Sequence, residues 1–408
     1  MSDRLERVVV TGVGVVVGAC CGIDALATAL HASSSLAAGV ESRSPYHGEG
    51  SATQGVLSIG VDLSPWVPAA TGRRMGRPSR FAAAAARMAV LDAGGAAVDD
   101  PTSTVVMATA YGAIEATEHL LRVERREGPA MVSPFGFTES VANAAAAHIA
   151  IATGAHGPNL TIVQREAGAL TAVGRGALEV ASRRSRCALV GCAEEMPPIL
   201  HAFLDRFNAL ARGTATMTEA ARPFDRRRNG FIAAEGAVVL VLESEREARA
   251  RGARIRAVIR GFASAFDPTA GRLGWGRGHV ALGGALTRLL ERTSTDRSRV
   301  SRVVSGASGS IAGDRLEAHV LHEVWRGSTL PPILAPKGHT GEYGGGFLAA
   351  AVLGATQPNA GPTVGFDEVD PDLDVTPHGG GELPASDVTL VTSLAAGGAA
   401  SWLLLEAV

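Results

Sequence analysis

Residues 157–170 read GPNLTIVQREAGAL, from Gly157 to Leu170. Gly157, Pro158 and Asn159 carry turn chemistry. Leu160 to Val163 is a short β-branched run that reads as a strand, and the small residues from Ala167 onward read as a helix. A strand that turns sharply into a helix presents one side chain at the corner, above the helix N-terminus, which is how many chains expose a nucleophile. The corner falls on Glu166, an acid where a nucleophile would stand.

The same strand-then-helix rhythm extends in both directions. RVVVTGVGVVV (7–17), STVVMATA (103–110) and CALVGCAEEM (187–196) read as strands. GIDALATALHA (22–32), RFAAAAARMAVLDAG (80–94) and IEATEHLLRVERR (114–126) read as helices. After GAVVLVLESEREARARG (236–252) the pattern restarts, with RIRAVIRGFASAF (254–266), HVALGGALTRLLERT (279–293), VSRVVSGASGS (300–310), RLEAHVLHEVW (315–325) and a terminal hairpin, DVTLVTSLAAGGAASWLLLEAV (387–408). This order predicts an α/β protein with mostly parallel strands and helices on both faces. The restart predicts two similar halves, residues 1–250 and 251–408. Two Gly-, Pro-, Asp- and Ser-rich stretches, 41–55 and 367–386, read as surface loops.

Composition narrows the partners. The 408 residues are 46% hydrophobic and 19% charged, with 50 glycines and a net charge of −2, so neither a nucleic-acid nor an anionic-membrane surface is expected. The first apolar run is broken by glycines and reads as a strand rather than a leader peptide. No stretch supplies the roughly 20 apolar residues of a membrane span. Cys20, Cys21, Cys187 and Cys192 lack metal-ligand spacing and read as buried free thiols of a cytoplasmic protein. Of the 38 basic residues only Lys337 is lysine, a compact ammonium where the chain otherwise uses planar guanidinium.

Several separated segments belong together: RRMGRPSRFAAAAARMAVLDAG (73–94), GPNLTIVQREAGAL (157–170), ARPFDRRRNGFIAAEGAVVLVLE (221–243), SGASGSIAGD (305–314), APKGHTGEYGGG (335–346) and TSLAAGGAAS (392–401). Their order and spacing resemble the β-ketoacyl-carrier-protein synthases from Val8 to Leu405. The resemblance implies the thiolase-like fold, a duplicated αβαβα arrangement in five layers, with no cofactor and no metal. In that family the corner carries a cysteine whose thiolate takes up an acyl chain. Two histidines stabilise the enolate formed during decarboxylation and condensation. On this chain the cysteine position is Glu166 and the histidine positions are Gly306 and Glu342. Lys337, Thr340, Asp314 and Glu235 keep their family identities, and the phenylalanine-rich turn has become Leu394, Ala395 and Ala396.

Loss of all three reactive side chains on a retained scaffold resembles the chain length factor, the ketosynthase β subunit of type II polyketide synthases, although the corner there is commonly glutamine. That subfamily implies a heterodimer with a cysteine-bearing ketosynthase α subunit, service by an acyl carrier protein, and a role in polyketide antibiotic biosynthesis. The strand before Glu166 is expected to pair with its counterpart in the partner. Ile114, Thr117 and Leu121, spaced by three and four, fall on one helical face and match the residues that close the polyketide tunnel. Their modest size suits a roomier tunnel, as for a reduced polyene. Two alternatives stay open: a malonyl-carrier-protein decarboxylase or acyltransferase that uses Glu166, and a structural carrier-docking scaffold. His319 and His322 share a helical face without a visible third ligand and read as solvated helix positions, and His339, three residues before Glu342, is expected to point elsewhere. Glu194 and Glu195 read as a turn, while Arg73, Arg74, Arg77 and Arg80 form a basic face suited to an acidic carrier.

Overall fold

Strand β1 (Val8–Val17) carries Gly12 and Gly14 among valines, and the helix Arg77–Asp92 carries an unbroken run of alanines. The two explain each other. A Cβ at Gly12 would lie 2.1 Å from the Ala89 carbonyl oxygen, and one at Gly14 would lie 1.9 Å from that of Ala85. Strand and helix therefore touch backbone to backbone, which larger side chains would prevent. The computed structural model describes residues 5–32, 46–47, 55–95, 98 and 100–408. Most of the predicted 41–55 loop lies outside the described residues.

The remaining principal strands are β2 (Thr104–Thr109), β3 (Asn159–Val163), β4 (Cys187–Glu194), β5 (Gly236–Ser244), β6 (Ala257–Phe266), β7 (Val300–Val304), β8 (Ile333–Leu334), β9 (Val388–Leu394) and β10 (Ala399–Glu406). In the first half the spatial order is β3-β2-β4-β5-β1, and in the second it is β8-β7-β9-β10-β6. These are the same topology. In each half the two outer pairings are parallel and the two inner ones antiparallel. The halves join where Val8–Val10 pairs antiparallel with Ala257–Ile259.

This corrects the expectation of a mostly parallel sheet. Hydrophobic runs mark a strand as buried but carry no direction, and the antiparallel pairs β4–β5 and β9–β10 are buried as deeply as parallel ones.

Five layers follow. The helices Gly168–Ala181 and Leu348–Thr356 share one core with strands of both halves. Arg77–Asp92 and Ala144–Thr153 cover the outer face of the first half, and His279–Arg292 and Ile311–Val324 cover that of the second. The 367–386 stretch is stitched down rather than loose. The Asp225 carboxylate accepts from the Asp367 and Glu368 N–H groups at 2.6 and 2.7 Å, and Arg228 pairs with Asp370 at 2.6 Å. Cys20, Cys187 and Cys192 are buried free thiols and Cys21 is half-buried, with burial pushing every one of them up from its usual range. No described helix is long and apolar enough to cross a membrane.

Candidate functional site

The quoted stretch folds as read: strand β3, a single 3-10 turn at Arg165–Ala167, then the helix Gly168–Ala181. Arg165 adopts a left-handed φ of 47°, the conformation that lets the chain reverse within one residue and costs a non-glycine side chain energy. The Glu166 carbonyl accepts from Ser393 Oγ at 2.7 Å, so the end of β9 pins the corner across the two halves. The Glu166 Oε2 atom is sealed from solvent and lacks a hydrogen-bond partner.

Glu342 faces the same space. Lys337 Nζ donates to its Oε2, and the Gly345 N–H donates to its Oε1 at 3.0 Å. A Cβ on Gly345 would come within 2.4 Å of the Glu166 carbonyl oxygen, so the loop holding Glu342 presses directly on the corner. Lys337 is fully buried and lies 4.8 Å from the Phe347 ring centroid, an added cation–π contact.

Gly306 lies against Thr392 and Ser393, and a Cβ there would meet the Thr392 carbonyl oxygen at 2.8 Å. No imidazole fits at 306 without displacing β9. Glu166, Glu342 and Gly306 therefore converge on one small region, built from β3, the 337–346 loop and the turn after β7.

The electrostatics are those of several acids around one cation. Burial first, and Glu342 second, push the Glu166 carboxyl up to about 7, against the pull of Lys337 and Arg165. Glu317, which accepts from Ser305 Oγ at 2.5 Å, is pushed up to about 8 by burial and by Asp314, again opposed by Lys337. A buried cluster is stable only near electroneutrality, so with Glu342 paired to Lys337 the Glu166 and Glu317 carboxyls are held well above their usual range. Tyr111 looks onto the same cluster, its phenol raised by burial and then by Glu166 and Glu194.

Asp314 and Glu235 act as staples. Asp314 accepts from the N–H groups of Phe224, Ser308 and Gly309 at 2.9, 3.1 and 3.1 Å, fixing Phe224 and Gly309 at positive φ. Glu235 accepts from the Ile59 N–H at 3.0 Å and pairs with Arg77. The Thr340 hydroxyl points to backbone oxygens of Pro336 and Gly341. His339 turns away from the cluster, its Nε2 2.9 Å from the Ala32 carbonyl oxygen.

Glu194 and Glu195 do more than form a turn. Glu194 accepts from Thr109 Oγ1 and the Ala110 N–H, with burial pushing it to about 8. Glu195 accepts from the Glu115 N–H at 2.7 Å and so fixes the first turn of the helix Ile114–Glu127. On that helix Ile114 packs with Tyr111 against Met196, Leu200 and Phe231. Thr117 Oγ1 donates to the Ala113 and Ser140 carbonyl oxygens at 2.7 and 3.2 Å, while Leu121 is 57% exposed. No residue of the helix is buried, so it is not an ordinary amphipathic helix seated in its own core.

Glu317, Tyr111 and Ser393 were not singled out from sequence. Glu317 carried a usable signal, since it lies three residues after Asp314 on the buried stripe that continues through Leu321 and Val324. An acid in that phase must find a partner. Tyr111 and Ser393 carried none.

The sequence profile of the β-ketoacyl synthase N-terminal domain matches residues 5–248. The chain belongs to the β-ketoacyl synthase family. Among relatives of this synthase-family chain, the Streptomyces rimosus protein named for oxytetracycline polyketide β-ketoacyl synthase 1 is 30% identical over 95% of this chain and 94% of its own. The 3-oxoacyl-[acyl-carrier-protein] synthase 2 of Mycobacterium tuberculosis is 28% identical over 74% of each. Among solved structures, a chain of the ishigamide ketosynthase/chain length factor superposes with a TM-score of 0.88 at 27% identity, covering 99% of this chain and 100% of that one. A chain from a type II polyketide acyl-carrier protein in complex with its ketosynthase gives 0.88 at 25% identity with the same coverage. The thiolase-like ketosynthase fold is thereby established.

Proposed function

We propose that this chain is a non-condensing ketosynthase-like subunit, a chain length factor, which pairs with a cysteine-bearing ketosynthase and shapes the polyketide tunnel. The observation that carries this reading is the converged cluster of Glu166, Gly306 and Glu342. Where condensing relatives gather a thiol and two imidazoles, this chain gathers two carboxyls and no side chain. An enolate developing beside Glu342 would meet negative charge, which raises the barrier. A malonyl decarboxylase would need Glu166 exposed to substrate, and its Oε2 is sealed. That alternative predicts carbon dioxide release from malonyl-carrier protein by the chain alone.

The outer surface supports a partnered role. Among the described residues strand β3 pairs only with β2 and forms an edge of the sheet, with no lysine or proline inside it to discourage pairing. Val163 on this strand and Ile151 on the helix packed against it stand exposed, as do Met131, Phe135 and Phe137 on the segments packed against the helix 114–127, apolar surface of the kind that marks an obligate interface. The unburied helix 114–127 adjoins it, and closing the interface would turn the Ile114–Thr117–Leu121 face inward.

The test is co-expression with the cognate cysteine-bearing ketosynthase. A one-to-one complex is expected by native mass spectrometry, and Leu121→Trp or Ile114→Phe in that complex should release a polyketide at least one extension unit shorter. Unchanged product length from an assembled complex would sink the tunnel role. The acidic carrier has a matching surface in Arg73, Arg74 and Arg80, which are exposed and without an ion-pair partner among the described residues. Neutralising all three to glutamine should raise the half-saturating carrier concentration several-fold and steepen with falling salt in the parent. A salt-independent KM would count against docking there.

A further inference from the structure

His319 and His322, on the helix Ile311–Val324, belong to no part of the site above. The neighbouring helix His279–Arg292 brings a further imidazole to them at its first residue. The rings of His279 and His319 meet edge to face, centroids 5.3 Å apart and planes at 64°. Each ring has one nitrogen committed to a backbone carbonyl. His279 Nδ1 lies 3.2 Å from the Arg277 oxygen, and His319 bonds the backbone of Asp372.

This is the arrangement by which proteins orient metal-binding imidazoles, with one nitrogen anchored and the other presented as a lone pair. Burial first, then His279, Arg315 and His322, hold His319 below its usual range, so the lone pair is available at neutral pH. Both rings are half-buried and line a surface cleft of about 460 Å³ with His322 and Glu323. Glu323 is engaged by Arg326, and His322 Nε2 lies 2.9 Å from the Leu373 oxygen. No group of three metal-ligating side chains converges among the described residues.

We propose that His279 and His319 form a two-imidazole site for a late first-row divalent cation, nickel, copper or zinc, with water from the cleft completing its shell. Imidazole suits these ions, and two protein ligands make the site weaker than a closed four-ligand one. The bound ion bridges two helices of the second half, one of which carries Asp314 in its first turn and Glu317 one turn later. Occupancy therefore clamps the helix that holds the retained Asp314 staple.

The test is isothermal titration of nickel chloride into the full-length, tag-free chain, alone or in complex. One site is expected at pH 7.5, weakened in acid as protons compete with the metal for imidazole, and its occupancy should raise the unfolding temperature. His279→Ala and His319→Ala should each weaken binding by about tenfold or more, while His322→Ala leaves it unchanged. Where an alanine variant misfolds, His279→Asn and His319→Gln serve instead. Heat indistinguishable from buffer at pH 7.5, or an affinity unmoved in the doubly substituted chain, overturns the proposal, as does a site that only His322→Ala removes.

Discussion

Replacing Lys337 by methionine is expected to destabilise the chain by about 3–5 kcal/mol at pH 8, the range for removing one partner of a buried ion pair. Methionine keeps most of the volume and can rest against Phe347, so the loss reports charge rather than a cavity. Without the ammonium, the Glu342 carboxylate retains only the Gly345 N–H as a donor among the described residues. Glu166 and Glu317 lose the field that opposes their protonation. Acid should partly rescue the variant, because the Glu166 and Glu317 carboxyls, raised to about 7 and about 8, carry protons at pH 5 and no longer call for a cation. Urea midpoints of parent and variant at pH 5 and pH 8 check this. A loss below about 1 kcal/mol at pH 8 would show that the cluster does not depend on its lysine.

The second large effect concerns Glu166 itself. Its carboxyl is raised from 4.5 to about 7 in the folded chain, so on raising the pH the unfolded chain gives up this proton first. The stability linked to the group is fully present below about pH 4.5 and is lost across the window from 4.5 to 7. Above that window the charged form persists at a cost of about 2–4 kcal/mol. Glu166→Gln cannot ionise, so its stability relative to the parent should grow by that amount between pH 5 and pH 8. Glu194 and Glu317 titrate in the same direction, near 8 in both cases, and leave a residual slope in the variant. Equal slopes in parent and variant would mean that Glu166 is ionised without penalty, contrary to its sealed oxygen.

Most of the architecture was legible because it rests on short-range patterns. GPNLTIVQREAGAL specifies turn, strand, corner and helix through residues that each favour their local conformation. VVVTGVGVVV and its alanine-rich helix announce a close backbone contact. The terminal hairpin runs in register from Val388 opposite Glu406 to Leu394 opposite Ala400, as its two apolar runs and glycine turn imply. Strand direction was not legible, since burial looks alike in parallel and antiparallel neighbours. In the candidate site, motif order singled out Glu166, Gly306 and Glu342, but no spacing could reveal that the Glu166 Oε2 atom would lack a partner while Glu342 took the lysine. That allocation depends on a loop pressed against the corner at Gly345. The roles of Glu194 and Glu195 were underestimated for a related reason: their partners, Thr109 and Glu115, lie about 80 positions earlier.

The free edge of β3 bears on how such a chain is made as much as on how it works. A copy left unpartnered exposes a β-branched strand edge with Val163 and Ile151 beside it, the kind of surface that recruits other unpaired edges. If the proposed partner covers that edge, recoverable yield should follow the partner's supply, which would make balanced translation of the two chains a condition of solubility.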